Sequence, residues 1–335
     1  MHSGPVKIAG LGGPVIDILI RVDDATLAAR VSGEKGGMNK ISGAEQRRLI
    51  ASLEAAGGVP AYAIGGSAFN TIAALSRLGM KTSFIGKTGK DEAADFFRRN
   101  YIAIGGDCSS LKATGRSPSA TVLCIVTPDS QRTMRSSLAA SLLMRPDDLS
   151  DEDFMGVNHL HIEGYQFFNP GLVRRAVEMA KAHNCTISLD LASFEVVRRF
   201  RDELERLLGC IDIVFANEDE ARAFMDFRGA IAPQTALKTF AKYCRISVVK
   251  TGVDGAWIRH GKETVHVAAK QAAAVDTTGA GDLWQAGFLY GLFHNWTLEK
   301  AGELGSYLAA EVVKVLGAQL PEKTWQTVRR TCKLP

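Results

Sequence analysis

The stretch Asp276-Thr277-Thr278-Gly279-Ala280-Gly281-Asp282 sets small residues and a carboxylate at the entrance of a helical run, Leu283-Trp284-Gln285-Ala286-Gly287-Phe288. Where a chain enters a helix, the first N–H groups lack intrahelical acceptors and the helix end carries partial positive charge. Gly279, Ala280 and Gly281 leave those N–H groups uncovered, so the turn predicts an anion cradle. A carboxylate at the same helix start repels an anion. Asp282 is useful there only as a proton acceptor, as when a hydroxyl attacks a phosphoryl group. The helix end is expected to lower its pKa and keep it ionised at neutral pH. The plainer reading is a capped turn, with Asp276 or Thr278 as N-cap.

Three further stretches hold chemistry-bearing residues at strand ends or helix starts. Gly65-Gly66-Ser67-Ala68-Phe69-Asn70 opens a helix with two glycines that permit close backbone approach. Asn217-Glu218-Asp219-Glu220 follows the apolar run Ile211–Phe215, where carboxylates can serve metal and phosphate or simply complement the helix dipole. Lys250-Thr251-Gly252 ends another apolar run and reads as a nucleotide-lining segment or a tight turn. Two rival phosphate motifs fail. Gly86-Lys87-Thr88 lacks the first P-loop glycine, because position 81 is lysine, and Gly10-x-Gly12 meets Val15 where a dinucleotide fingerprint needs glycine. The histidines show no H-E-x-x-H spacing, and the acids at 147, 148 and 151–153 lack the spacing of a calcium loop.

These residues need a frame, and the apolar pattern supplies one. Strands are expected at Val6–Gly12, Ala61–Ile64, 82–86, 158–162, 186–190, 211–215 and 246–250. Helices are expected at 42–55, 67–78, 91–101, 170–182, 195–208, 217–226, 280–294 and 298–316. Their alternation predicts an α/β fold with a mainly parallel central sheet covered on both faces. Residues 120–126 and 131–136 read as a hairpin around Pro128-Asp129-Ser130 in a small accessory sheet. With no repeat or low-complexity linker, the chain reads as one large domain, 1–335, with a small appendage.

Composition narrows the function classes. Of 335 residues, 46% are hydrophobic, enough for a core without metal or disulfide staples. A net charge of +4, mixed along the chain, gives no basic stripe for nucleic acid. No run approaches the length of a membrane span, and the early apolar run Val15–Ile20 carries Asp17, which argues against a signal peptide. The six scattered cysteines read as free thiols of a reducing compartment, so a cytoplasmic protein is expected.

Taken together, Asp17 after the first strand, Gly65-Gly66 with Asn70, Asn217-x-x-Glu220 and Asp276-x-Thr278-Gly279-Ala280-Gly281-Asp282 resemble the ribokinase-like, or PfkB, carbohydrate kinases. The likeness runs along nearly the whole chain in the family's order. It implies a three-layer α/β/α sandwich with a small β lid, matched by position to 18–64 and 119–137. It implies ATP and Mg²⁺ as cofactors, and a γ-phosphoryl transfer to a hydroxymethyl group of a sugar-containing acceptor. Asp282 would be the base and the 279–281 N–H groups the anion hole. Asp17, Gly65, Gly66, Asn70 and Glu163 would grip the acceptor. Asn217 and Glu220 would organise Mg²⁺ through water, and Thr251 and Gly252 would line the ATP site. Asp276 and Thr278 fall where relatives bind a monovalent cation such as K⁺, a point left open here, as is a homodimer.

The segments Glu163-Gly164-Tyr165, Pro128–Met134 and Phe215–Glu218 look like bacterial adenosine-kinase-like members, which tilts the acceptor towards a ribonucleoside. Phe69, Phe167 and Phe168 are candidates for a base slot. A free-sugar kinase and a non-catalytic sugar- or nucleoside-binding regulator are the alternatives, the presence of Asp282 favouring an enzyme.

Overall fold

The computed structural model describes residues 6–129 and 131–334. Its main sheet runs β15-β14-β13-β12-β11-β10-β1-β5-β6, with β7 also paired to β5. The strands are β1 (Lys7–Leu11), β5 (Lys81–Thr88), β6 (Gly106–Asp107), β7 (Leu111–Ala113), β10 (His159–Glu163), β11 (Thr186–Asp190), β12 (Ile213–Asn217), β13 (Ile246–Lys250), β14 (Ala256–His260) and β15 (Glu263–Val267). All pairs from β6 to β13 are parallel, and only the β13–β14–β15 edge is antiparallel.

Strand periodicity splits the interior into two cores. In β12, Ile213 and Phe215 join one cluster while Val214 and Ala216 join the other. The first cluster holds the helices Ser67–Arg77, Ala280–Phe293 and Leu298–Val312 against the sheet. The second holds Pro170–Ala182, Arg201–Leu208 and Glu218–Phe224. The result is the three-layer α/β/α sandwich expected from the sequence.

A second sheet, in the order β3-β9-β8-β2-β4, is built from β2 (Val15–Arg21), β3 (Met38–Lys40), β4 (Ala61–Gly65), β8 (Ala120–Val126) and β9 (Arg132–Ser137). The β8–β9 pair is antiparallel, and Ser130, at the expected turn, lies outside the described residues. Asp17 sits within β2, opposite Ala63 of β4. This sheet carries the helix Gly43–Glu54, whose Ser42 and Glu45 form a capping box.

Two sequence expectations are corrected. The helix expected at 195–208 is two, Phe194–Arg199 and Arg201–Leu208, separated at Phe200. The helix expected at 298–316 ends at Val312, after which 313–320 turns back so that Gly317 meets Asp276. The edge hairpin β14–β15 went unseen because its short strands alternate with exposed polar residues.

Candidate phosphoryl-transfer site

The carboxyl ends of β1, β10, β11, β12 and β13 converge on the starts of three helices, the position where open α/β sheets bind ligands. The helix Ala280–Phe293 begins with Gly279 at φ 77°, and no side chain caps it. A Cβ at Gly279 would stand 2.5 Å from the Ala318 Cβ, so both backbone and packing require glycine there. Asp276 and Thr278 do not cap this helix. Asp276 Oδ1 instead accepts from the Thr278 N–H at 3.0 Å, inside the preceding turn. The Ala280 N–H donates to the Thr277 carbonyl at 3.2 Å, and among the described residues those of Gly281 and Asp282 are left for a ligand.

Asp282 bonds across to another element. Ser67 Oγ donates to its Oδ1 at 3.1 Å, and Asn70 Nδ2 donates to its Oδ2 at 2.8 Å. Thr71 Oγ1 fixes the Asp282 backbone carbonyl at 3.0 Å. The helix Ser67–Arg77 can deliver these groups because Gly66, at φ 119°, lets the chain pass Gly13. A Cβ there would lie 2.2 Å from the Gly13 carbonyl oxygen. The expected low pKa of Asp282 is overturned. Burial, then the Asp190 carboxylate, push it up to about 7 against Asn70, Lys250 and Ser67. Desolvation and the charge of a second acid together outweigh the helix end.

Asp17 packs against the first glycine of the pair, where a Gly65 Cβ would lie 2.4 Å from its Oδ2. Burial pushes its pKa up to about 6, Arg132 and Asp276 acting in opposite directions. Glu163 lies behind this surface. Its Oε1 accepts from the Gly13 N–H and Gln166 Nε2, each at 2.9 Å, and its Oε2 from the Ala68 N–H at 2.9 Å. With 4% exposure, the residue expected to contact an acceptor here ties two glycine-bearing turns together. Phe69 and Phe167 are core residues at 0% exposure, whereas Phe168 and Tyr165 are each 45% exposed.

On the other flank, Asn217 and Glu220 form a reciprocal cap. Glu220 Oε2 accepts from the Asn217 N–H at 2.8 Å, Oε1 from Asn217 Nδ2 at 2.7 Å, and Asn217 Oδ1 from the Glu220 N–H at 2.8 Å. Burial, then Asp190, push Glu220 up to about 7, with Lys250 opposing. Each Glu220 oxygen accepts one bond here and keeps a lone pair, which fits a role in holding metal-bound water. Thr251 closes a tight turn, its N–H and Oγ1 both donating to the Gly255 carbonyl at 2.8 and 3.0 Å, while Gly252 adopts φ 58°.

The residues expected around a monovalent cation have a different partner. Arg132, from β9 of the small sheet, donates to Asp276 Oδ2 at 2.8 Å, to Thr278 Oγ1, and to Cys124 Sγ at 2.8 Å. Asp276 Oδ2 also accepts from the Gly317 N–H at 2.7 Å. Against the effect of burial, the Gly317 and Thr278 N–H groups and Arg132 hold Asp276 below the usual carboxylate range. A positive charge already satisfies these side-chain oxygens, so as arranged they do not fit a free cation.

Sequence reasoning missed Ser67, Asp190, Lys250 and Arg132 as site residues. Ser67 and Lys250 stand inside motifs that the sequence singled out. Arg132 also lies inside a singled-out stretch, Pro128–Met134, but that it and Asp190 reach the site is visible only in the fold.

Known proteins resemble this chain over most of its length. Residues 39–325 match the family described as pfkB family carbohydrate kinase. A structure described as a probable sugar kinase from Rhizobium etli CFN 42 superposes with a TM-score of 0.85 at 30% identity, covering 98% of this chain and 99% of that one. Adenosine kinase from Sinorhizobium meliloti gives 0.84 at 30% identity, covering 98% and 100%. A 5-dehydro-2-deoxygluconokinase from Geobacillus kaustophilus is 31% identical over 265 residues, 75% of this chain and 78% of its own.

Proposed function

Because the chain belongs to the pfkB family of carbohydrate kinases, we propose that it transfers the γ-phosphoryl group of ATP to the 5′-hydroxyl of a ribonucleoside such as adenosine, with Asp282 as proton acceptor. The observation that carries this reading is the Asp282 carboxylate, held by Ser67 and Asn70 at the uncapped start of Ala280–Phe293. A hydroxyl bonded to Asp282 stands beside N–H groups able to stabilise the charge of the transferring group. With a pKa of about 7, Asp282 is a better base than an ordinary aspartate and is still substantially ionised at neutral pH.

Asp17 is a second acceptor for sugar hydroxyls, since its carboxylate lies against Gly65 and takes no hydrogen bond among the described residues. Mg²⁺ bound to the triphosphate supplies charge neutralisation, and Glu220 and Asn217 would hold it through water. Glu163 acts one layer back, fixing the Gly13 and Ala68 backbones on which the acceptor rests. The exposed Tyr165 offers a flat apolar face for a base, whereas Lys40 and Arg199 stand over the Phe168 ring, and the adenosine kinase from Sinorhizobium meliloti supports the same acceptor class. The likeness to the Rhizobium etli sugar kinase is as great and favours a free sugar as the second reading.

The test is ADP release with ATP and Mg²⁺ across adenosine, inosine, ribose, fructose and 5-dehydro-2-deoxygluconate. Adenosine is expected to give the highest kcat/KM and a nucleoside 5′-monophosphate. Turnover confined to sugars would move the acceptor to that class, and none with any acceptor would overturn the proposal.

A further inference from the structure

Lys250 ends β13 with its side chain only 16% exposed, and its Nζ lies 3.4 Å from Asp190 Oδ1. That is long for a committed ammonium–carboxylate bond. The same Nζ stands 3.0 Å from where a Cβ on Gly281 would be, so the ammonium lies against the middle of the proposed anion cradle. Asp190 and Glu220 are buried, and the charges of Asp190, Glu220 and Asp282 all act on Lys250, raising its pKa against burial. Three carboxylates around the place where a triphosphate would arrive are a heavy negative load. A lysine shared among them, and not committed to one, is what would offset it.

We propose that Lys250 is a positioning residue of the phosphoryl-transfer site: its ammonium, set between Asp190, Glu220 and Asp282 beside the Gly281 backbone, makes the cluster compatible with an incoming phosphate and keeps Asp282 free to take the proton. The inference rests on the kinase reading above. In that step the acceptor oxygen bonds to the γ-phosphorus as its proton passes to Asp282. The bond from phosphorus to the bridging oxygen breaks, and ADP leaves with the electron pair. Lys250 makes and breaks no bond.

The groups facing Asp282 are Ser67 and Asn70 from one helix, Asp190 from β11, Lys250 from β13 and, more remotely, Tyr165 from the turn after β10. Asp190 raises its pKa, while Asn70, Lys250 and Ser67 lower it. Removing the ammonium therefore moves the ionisation of Asp282 to higher pH. The acid limb of kcat/KM should move with it.

The experiment is the pH profile of kcat/KM for wild type, K250M, K250R and D282N, with thermal melting of each. For K250M, a limb displaced upward by one pH unit from about 7 means a loss of about fivefold at pH 7, recovered towards pH 9. K250R should keep the limb close to wild type. Should K250M melt below the assay temperature, K250Q takes its place. A K250M profile reduced equally at every pH, with the limb unmoved, overturns the Lys250 inference while leaving the kinase reading intact. Wild-type-like turnover in D282N overturns both.

Discussion

Two of the helix starts at the end of the parallel sheet, Asn217–Glu220 and Gly279–Asp282, carry a carboxylate and are built in opposite ways. At Asn217–Glu220 the helix satisfies itself, since each residue donates to or accepts from the other. At Gly279–Asp282 the helix has no side-chain cap, and its carboxylate is held by Ser67 and Asn70 of a different helix. A locally capped start needs no ligand, whereas an open start beside a cross-linked acid is arranged for one. In both, burial pushes the acid up to about 7, so perturbed pKa values alone do not tell the two apart. The direction of the hydrogen bonds does.

The contrast can be broken from either side. The largest effect is expected for G279V. A β-branched residue at φ 77°, with its Cβ 2.5 Å from that of Ala318, forces the cradle N–H groups out of place. Loss of such donors predicts a fall in kcat of about 10²–10³-fold. Undiminished kcat would mean that this turn binds no anion. E220Q comes next, because it sets an amide N–H₂ against the Asn217 donors and removes the charge. Turnover at limiting Mg²⁺ should fall on the order of 10–100-fold, with acceptor affinity little changed. Normal Mg²⁺ dependence would leave Glu220 as a cap alone. N217A should cost about 1 kcal/mol of stability, the ordinary value of an N-cap, read by denaturant unfolding. A neutral result there would remove the self-contained half of the comparison. Smallest of all is exchange of K⁺ for Na⁺ in the assay, which should leave turnover unchanged because Arg132 already occupies the Asp276 and Thr278 oxygens. Strong K⁺ stimulation would show that Arg132 leaves this turn in the working enzyme.

Local signals made much of this legible. The strands at 186–190 and 246–250 and the helix at 170–182 follow from apolar period and flanking residues, and match in extent. The 276–282 turn announced itself through small residues before an apolar helix. Distance in sequence hid the rest. Arg132 lies 144 residues from Asp276, and Lys250 lies 60 from Asp190. The sign of the Asp282 shift was misread for the same reason. The helix start is local and visible, whereas the burial and the Asp190 charge that outweigh it come from the assembled sheet. Glu163 likewise ends a strand as expected, but only the fold shows both its oxygens already bonded to backbone and Gln166.

The central claim, that Asp282 is held for chemistry and does not merely cap a helix, is tested most directly by D282N in one set of measurements: kcat, the ATP and acceptor dissociation constants, and thermal stability at pH 8. General-base loss predicts a fall in kcat of about 10²–10⁴-fold with both affinities nearly unchanged. The folded-state pKa of about 7 lies above the ordinary 3.8, so the native state loses stability as pH rises through that window and the acid ionises. Above it, the neutral asparagine relieves that cost, and the variant should melt no lower than wild type. Near-normal turnover together with a lowered melting temperature would make Asp282 a structural cap and contradict the account.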